Sequence, residues 1–213
     1  MPGAITSDII HPPAPPHGGG FGGGGGGGSD GRGSSRRASM TGLMVLLAAT
    51  TMAFAAFTSA FVVRRGISDD WVALRLPRIV WANTAILLAS SLLLEIARRS
   101  LRNGRRTAFN RYWTAGTICG GLFLVGQAAA WWQLNAAGIF VATNPSSSFF
   151  YLLTAAHGLH ILGGLTALAY VDVQALRLQL GPGKRTAVDV SAVFWHFVDG
   201  LWLFLMVLFL VWG

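Results

Sequence analysis

Apolar residues arrive in five long runs, Thr41 to Val63, Ile79 to Ala97, Trp113 to Leu134, Phe149 to Val171 and Val188 to Trp212, with arginines, glycines and prolines gathered between them. An α-helix rises about 1.5 Å per residue, so crossing a hydrocarbon core of about 30 Å takes about 20 apolar residues. Each run meets or approaches that length. The pattern predicts an all-α membrane protein, a bundle of five transmembrane helices over residues 40–213, at about 41–63, 79–97, 113–134, 149–171 and 188–212.

Residues 1–39 follow another regime. They hold 13 of the 28 glycines (Gly3, Gly18 to Gly20, Gly22 to Gly28, Gly31, Gly33) and five of the eight prolines. With little to bury, ordering such a segment costs backbone entropy without return. A disordered, Gly/Pro-rich cytoplasmic tail is expected there, with His11 and His17 as solvated bystanders. Arg36-Arg37 ahead of an apolar run faintly resembles a twin-arginine export signal. The run that follows spans about 23 residues, longer than the 7 to 15 of a signal core, so the first helix is expected to remain as an anchor.

Composition agrees with the pattern: 53% of residues are hydrophobic, 11% are charged and the mean hydropathy is +0.53, where soluble domains carry about a quarter charged residues. The charge is also one-sided. Arg32, Arg36 and Arg37 precede the first predicted helix, Arg98, Arg99, Arg102, Arg105, Arg106 and Arg111 lie between the second and third, and Arg177, Lys184 and Arg185 lie between the fourth and fifth. Only Arg64, Arg65, Arg75 and Arg78 fall on the opposite side. The positive-inside rule then predicts a multi-pass protein of the plasma (inner) membrane, with the N-terminus cytoplasmic and the C-terminus outside. Topology and anionic lipid thereby account for the net charge of +8, and no nucleic-acid motif competes.

Trp81, Trp131, Trp132 and Trp212 fall at predicted outer boundaries, with Tyr112 and Trp113 at an inner one, as an interfacial aromatic belt requires. Gly116 and Gly120 form a Gly-x-x-x-Gly step, followed by Gly121 and Gly126, and the fourth helix carries Gly158, Gly163 and Gly164. Such positions let helix backbones approach closely, and they predict an interior third helix. Pro77 and Pro145 precede helices, and Gly181-Pro182-Gly183 predicts a turn. The one cysteine, Cys119, sits mid-helix and reads as a packing residue, which removes disulfides, thiolate metal centres and covalent haem attachment.

The candidate chemistry lies in the last two helices. His157 and His160, and His196 and Asp199, are each three residues apart, so each pair is expected to project from one helix face. Ionisable groups in hydrocarbon need protein partners, and similar depths along oppositely running helices predict a polar contact between the fourth helix and the fifth. Glu95 with Arg98 and Arg99, at i, i+3 and i, i+4 spacing, predicts an interfacial ion pair. No catalytic residue and no metal-ligand set is expected, since a di-metal bundle wants repeated Glu-x-x-His pairs and Glu95 is the only glutamate. A b-type haem between His160 and His196 is the rival reading on these residues.

The segments Phe150-Tyr151-Leu152-Leu153-Thr154-Ala155-Ala156-His157-Gly158-Leu159-His160 and Trp195-His196-Phe197-Val198-Asp199-Gly200-Leu201-Trp202-Leu203-Phe204, in this order on the last two helices, resemble subunit III of the haem-copper respiratory oxidases. Leu76-Pro77, Asn83-Thr84 and Ser90-Ser91 also look like the family pattern. The resemblance covers about Thr41 to Gly213 and is to the five-helix bacterial form. It implies an accessory, non-redox subunit of a cytochrome c oxidase type complex in aerobic electron transport. Such a subunit binds no haem or copper itself, these being held by partner subunits. It packs directly on subunit I, contacts other oxidase subunits, holds phospholipid, and supports subunit I stability and proton uptake. One departure stands out: where the family carries a buried glutamate, Ala49-Thr50-Thr51-Met52 places Thr50, whose hydroxyl can bond the i−4 carbonyl. A proton-handling role for that glutamate is therefore not carried over. A subunit III-like partner of a quinol oxidase or nitric oxide reductase, or a free-standing b-haem or quinone electron carrier, are the alternatives.

Overall fold

The computed structural model describes residues 30–67, 78–141, 144–177 and 185–212. Among them the chain is five helices: α1 (Asp30–Ile67), α2 (Arg78–Arg102), α3 (Arg106–Ala136), α4 (Pro145–Leu176) and α5 (Arg185–Trp212). Most of the expected N-terminal tail, Pro77, and the Gly181-Pro182-Gly183 turn lie outside the described residues.

Every helix is longer than its apolar run. α1 extends back to Asp30, through the last part of the predicted tail, because adding a residue to an existing helix costs far less than nucleating one. The predicted arginine-rich loop between the second and third helices shrinks to Asn103, Gly104 and Arg105. Arg98, Arg99 and Arg102 are thus carried on the last two turns of α2 and Arg106 opens α3. Gly104 takes φ +73° in this turn, a conformation that a side chain disfavours, and so short a link forces α2 and α3 side by side and antiparallel.

The far end of α3 closes with Gly138 at φ +79°, whose N–H bonds Asn135 O at 3.0 Å while Ile139 N–H bonds Leu134 O at 3.0 Å. α4 then starts on a capping box. Asn144 accepts from Ser147 N–H at 2.8 Å, the Ser147 hydroxyl reaches back to the Asn144 N–H at 3.3 Å, and Pro145 occupies the first turn. Reciprocal capping of this kind stabilises a helix start by about 1 kcal/mol. Asn144→Ala is accordingly expected to lower stability by about 1 kcal/mol, measurable as a small drop in the thermal unfolding midpoint; no drop would show the box to be idle.

α2, α3, α4 and α5 form a ring of packed neighbours, and α1 lies outside it in the groove between α4 and α5. Trp195, Trp202, Phe123 and Trp113 are fully buried. α1 buries a single stripe, Leu43, Thr50, Phe54 and Phe61, and leaves Met44, Val45, Leu46, Met52 and Val63 exposed. Its anchors are aromatic: Phe54 against His160, and Phe61 against Phe149 and Phe209, with centroids 5.6, 5.6 and 6.2 Å apart.

Four helices are long and apolar enough to cross a membrane, over Arg36–Ile67, Arg78–Arg102, Pro145–Leu176 and Arg185–Trp212. α3 is not among them, although it was expected to span. Its glycines, Gln127, Asn135 and three threonines dilute the apolar signal that its length would otherwise give. Nor is α3 wholly interior. Gly116 and Gly120 face protein, but Ile118, Leu122, Val125 and Trp132 form an exposed apolar face. Trp113, expected at an interface, instead lies in the core and donates to Leu168 O at 3.0 Å, while Trp81 and Trp132 are exposed as an aromatic belt predicts.

Candidate functional site

The polar residues of α2 repeat every seven positions, two helical turns, and so fall into two adjacent stripes. One stripe meets α3: Asn83 Nδ2 donates to Phe123 O at 3.0 Å and the Ser90 hydroxyl to Gly116 O at 2.8 Å. Backbone carbonyls can be reached there because glycines clear the way. A Cβ at Gly126 would collide with the Asn83 amide, and one at Gly116 would lie 2.9 Å from the Leu94 side chain.

The other stripe meets α5 in three rungs. At one end Trp202 Nε1 donates to the Thr84 hydroxyl at 2.9 Å. In the middle Ser91 Oγ lies 2.8 Å from His196 Nδ1 and also hydrogen-bonds Asp199 Oδ2. At the arginine-rich end Arg98 Nη2 donates to Asp189 Oδ1 at 3.0 Å, while its Nη1 and Arg99 Nε hold the two oxygens of Glu95 at 3.0 and 3.1 Å. The expected ion pair of Glu95 with Arg98 and Arg99 is present, extended across to α5 by Asp189.

A hydroxyl carries one proton. With Ser91 donating to the Asp199 carboxylate, its contact with His196 requires a proton on Nδ1, so the rung fixes the imidazole tautomer. Ser91, His196 and Asp199 are the residue types of a hydrolytic triad in the wrong order. There, histidine stands between serine and carboxylate and takes the serine proton. Here serine stands between the other two, and its proton points at the carboxylate, which makes a structural clasp rather than an activated nucleophile.

Asp199, 5% exposed, therefore pairs with α2, not with the fourth helix as the sequence predicts. His157 and His160 do not share a neighbour either. Three residues turn a helix by about 300°, which leaves the two side chains some 60° apart, enough to straddle adjacent packing partners. His157, 0% exposed, enters the ring and lies 5.0 Å from the Trp202 ring and 6.0 Å from that of Phe123, with neither ring nitrogen partnered among the described residues. His160 turns toward α1, edge-on to Phe54, with Nδ1 2.8 Å from Ala156 O of its own helix. Trp202 is the joint of this arrangement, its ring against His157 of α4 and its N–H on Thr84 of α2. No sequence spacing marks Ser91, Thr84 or Trp202 as the partners, although the seven-residue interval of Thr84, Ser91 and Arg98 is visible in hindsight.

Thr50 is 3% exposed on the buried stripe of α1. The hydroxyl seen returning to an i−4 carbonyl is that of the next residue: Thr51 Oγ1 donates to Leu47 O at 2.8 Å. Between α3 and α4, Thr114 donates to Asp172 Oδ1 at 2.6 Å, Trp131 Nε1 to Thr154 Oγ1 at 3.1 Å, and Tyr151 OH to Asn135 Oδ1 at 2.9 Å. Among the described residues no three His, Cys, Asp or Glu side chains converge as a metal-ligand group. His160 faces α1 and His196 faces α2, so the two do not face each other as axial haem ligands would.

The sequence that forms these helices has known relatives. The family model for cytochrome c oxidase subunit III matches residues 39–213. A probable cytochrome c oxidase subunit 3 of Nocardia farcinica is 29% identical over 167 residues, covering 76% of this chain and 82% of that protein. The cytochrome c oxidase subunit 3 of Thermostichus vulcanus is 29% identical over 178 residues (78% and 84%), and that of Synechocystis is 29% identical over 179 residues (79% and 73%). Since the match takes in all of α2 to α5 and the membrane run of α1, the chain belongs to the cytochrome c oxidase subunit III family.

Proposed function

We propose that this chain is the accessory, non-redox subunit of a haem-copper terminal oxidase of the cytochrome c oxidase type. It packs directly on subunit I and sustains that subunit's stability and proton uptake during oxygen reduction. Haem and copper belong to the partner subunits, and this chain performs no catalysis alone. The observation that carries the reading is the family match over residues 39–213. The clasp geometry of Ser91, His196 and Asp199, and the divergent directions of His160 and His196, support a structural role over a redox one.

In this reading all five helices cross the plasma membrane. α3 is bonded to α4 through Trp113 and Leu168 near one end and Asn135 and Tyr151 near the other, so a spanning α4 carries α3 across with it. The N-terminus lies in the cytoplasm and the C-terminus outside, which puts Arg98, Arg99, Arg102 and Arg185 at the inner surface. Thr50 supplies no carboxylate, so proton support in this chain runs through no acidic group at that position.

Affinity purification of the tagged chain from mildly solubilised membranes tests the proposal. A haem-containing large subunit with a Soret band and oxygen-reducing activity is expected to accompany it. Recovery of the chain without any haem protein overturns the assignment, and a Soret band retained by the isolated chain overturns its non-redox character.

A further inference from the structure

Two polar atoms of α5 are enclosed by protein and have no hydrogen-bond partner among the described residues: the indole Nε1–H of Trp195 and the second carboxylate oxygen, Oδ1, of Asp199. Trp195 is 0% exposed and Asp199 5%. The first atom can only donate and the second, in a carboxylate, can only accept. They stand four residues apart, one helical turn, where side chains are neighbours with about 5–6 Å between their Cβ atoms. The packing of the indole turns both atoms to one side. A Cβ at Gly164 of α4 would meet Trp195 Cε3 at 3.1 Å, and one at Gly120 of α3 would meet Cζ2 at 2.8 Å. Cε3 and Nε1 lie on opposite long edges of an indole, so the nitrogen edge faces away from α4, toward the side of α5 on which Asp199 Oδ2 accepts from Ser91 of α2.

A polar atom buried without a partner loses its hydration for no return, and a carboxylate oxygen loses most. Whatever joins these two must accept from the indole and donate to the carboxylate. A metal cation cannot accept from an N–H, and an anion is repelled by the carboxylate. A larger solute needs an opening, and both atoms are shut off from the surface. Water both accepts and donates, and buried waters bridge otherwise unsatisfied groups in this way. We propose that a single water molecule is bound inside the bundle between Trp195 and Asp199, accepting from Nε1–H and donating to Oδ1. It completes the carboxylate, whose Oδ2 Ser91 already holds. It also joins two separate features of the packing: the Trp195 ring set against Gly120 and Gly164, and the middle rung between α2 and α5. The bridge depends on burial within this chain alone and holds whichever complex the chain joins.

The test uses the complex purified whole from membranes and imaged by cryo-electron microscopy at a resolution that shows ordered water. Density for one water within about 2.5–3.2 Å of both Trp195 Nε1 and Asp199 Oδ1 is expected. Direct contact between the two atoms, or no density between them, overturns the bridge. Trp195→Phe keeps an aromatic ring and removes the N–H, and the density should be lost with it. Water that persists beside Asp199 in that variant is not held by the indole, which overturns the bridge as well. Thermal unfolding gives a second readout. Trp195→Phe should lower the midpoint by about 2–4 °C less in an Asp199→Leu background than in wild type, the shift that one hydrogen bond makes in a domain of about this size. Equal decrements in the two backgrounds would show that Trp195 and Asp199 share no partner and sink the proposal. Should these variants fail to assemble, the wild-type map decides by itself.

Discussion

Gly120→Ala is expected to lower the thermal unfolding midpoint of the assembled protein sharply, while Gly121→Ala one position along leaves it unchanged or slightly raised. A Cβ at Gly120 would lie 2.5 Å from the Trp195 ring. That ring has no retreat, because it is fully buried and a Cβ at Gly164 of α4 would meet it from another helix at 3.1 Å. Overpacking of this kind costs about 1–3 kcal/mol, and where the indole is held between two helices the upper end of that range applies. Gly121 has nothing within 4 Å, and alanine there gains up to about 1 kcal/mol of helix propensity. Gly120→Ala/Gly164→Ala should cost more than the two single changes added, since both press on one ring. If Gly120→Ala and Gly121→Ala unfold together, Trp195 is not the wedge that sets the distance between α3, α4 and α5.

Asp199→Leu is expected to destabilise the protein by about 1–3 kcal/mol and to shorten the working lifetime of the oxidase it joins. The carboxylate is the acceptor that orders Ser91, and Ser91 in turn orders His196; without it a half-buried hydroxyl and imidazole are left to satisfy each other at membrane depth. Ser91→Ala removes the same bond from the other side. In a double-mutant cycle the Ser91 and Asp199 changes should therefore couple by about 1 kcal/mol or more. The measurement is the thermal midpoint together with the decay of oxygen consumption over repeated turnovers. Wild-type assembly and lifetime in Asp199→Leu would show the rung to be dispensable.

Much of the architecture was legible because membrane helices advertise themselves by length and apolarity, and the family motifs on α4 and α5 point to the same class. α3 shows the limit of that signal. The glycines that let it press against α2 and α5 share its apolar run with Gln127 and threonines, so α3 has the length expected of a span without the hydropathy of the other four helices. Within the site, the sequence located the ionisable residues but mispaired them. Spacing tells which side of its own helix a residue occupies and says nothing of which helix stands opposite, and a 60° difference was enough to send His157 into the ring and His160 to α1. The true partners of His196 and Asp199 lay on α2, where serine and threonine are too common in membrane helices to attract notice singly. Helix ends were misjudged for a different reason. Arginine reads as loop in a polarity pattern, yet on α2 it rides the final helical turns, where long side chains reach the interface without unwinding the backbone.

The three rungs between α2 and α5 sit two turns apart, and Thr84, Ser91 and Arg98 all point the same way. A small rotation of α2 about its axis would break every rung at once, and a slide by one turn that brought Arg102 to the place of Arg98 would put Leu88 in place of Thr84 and Glu95 in place of Ser91. The seam therefore has a single register and latches as a unit. A push applied to Arg98 at one surface would reach Trp202, and through it His157, as motion of a stiff rod rather than as a ripple of independent side-chain adjustments.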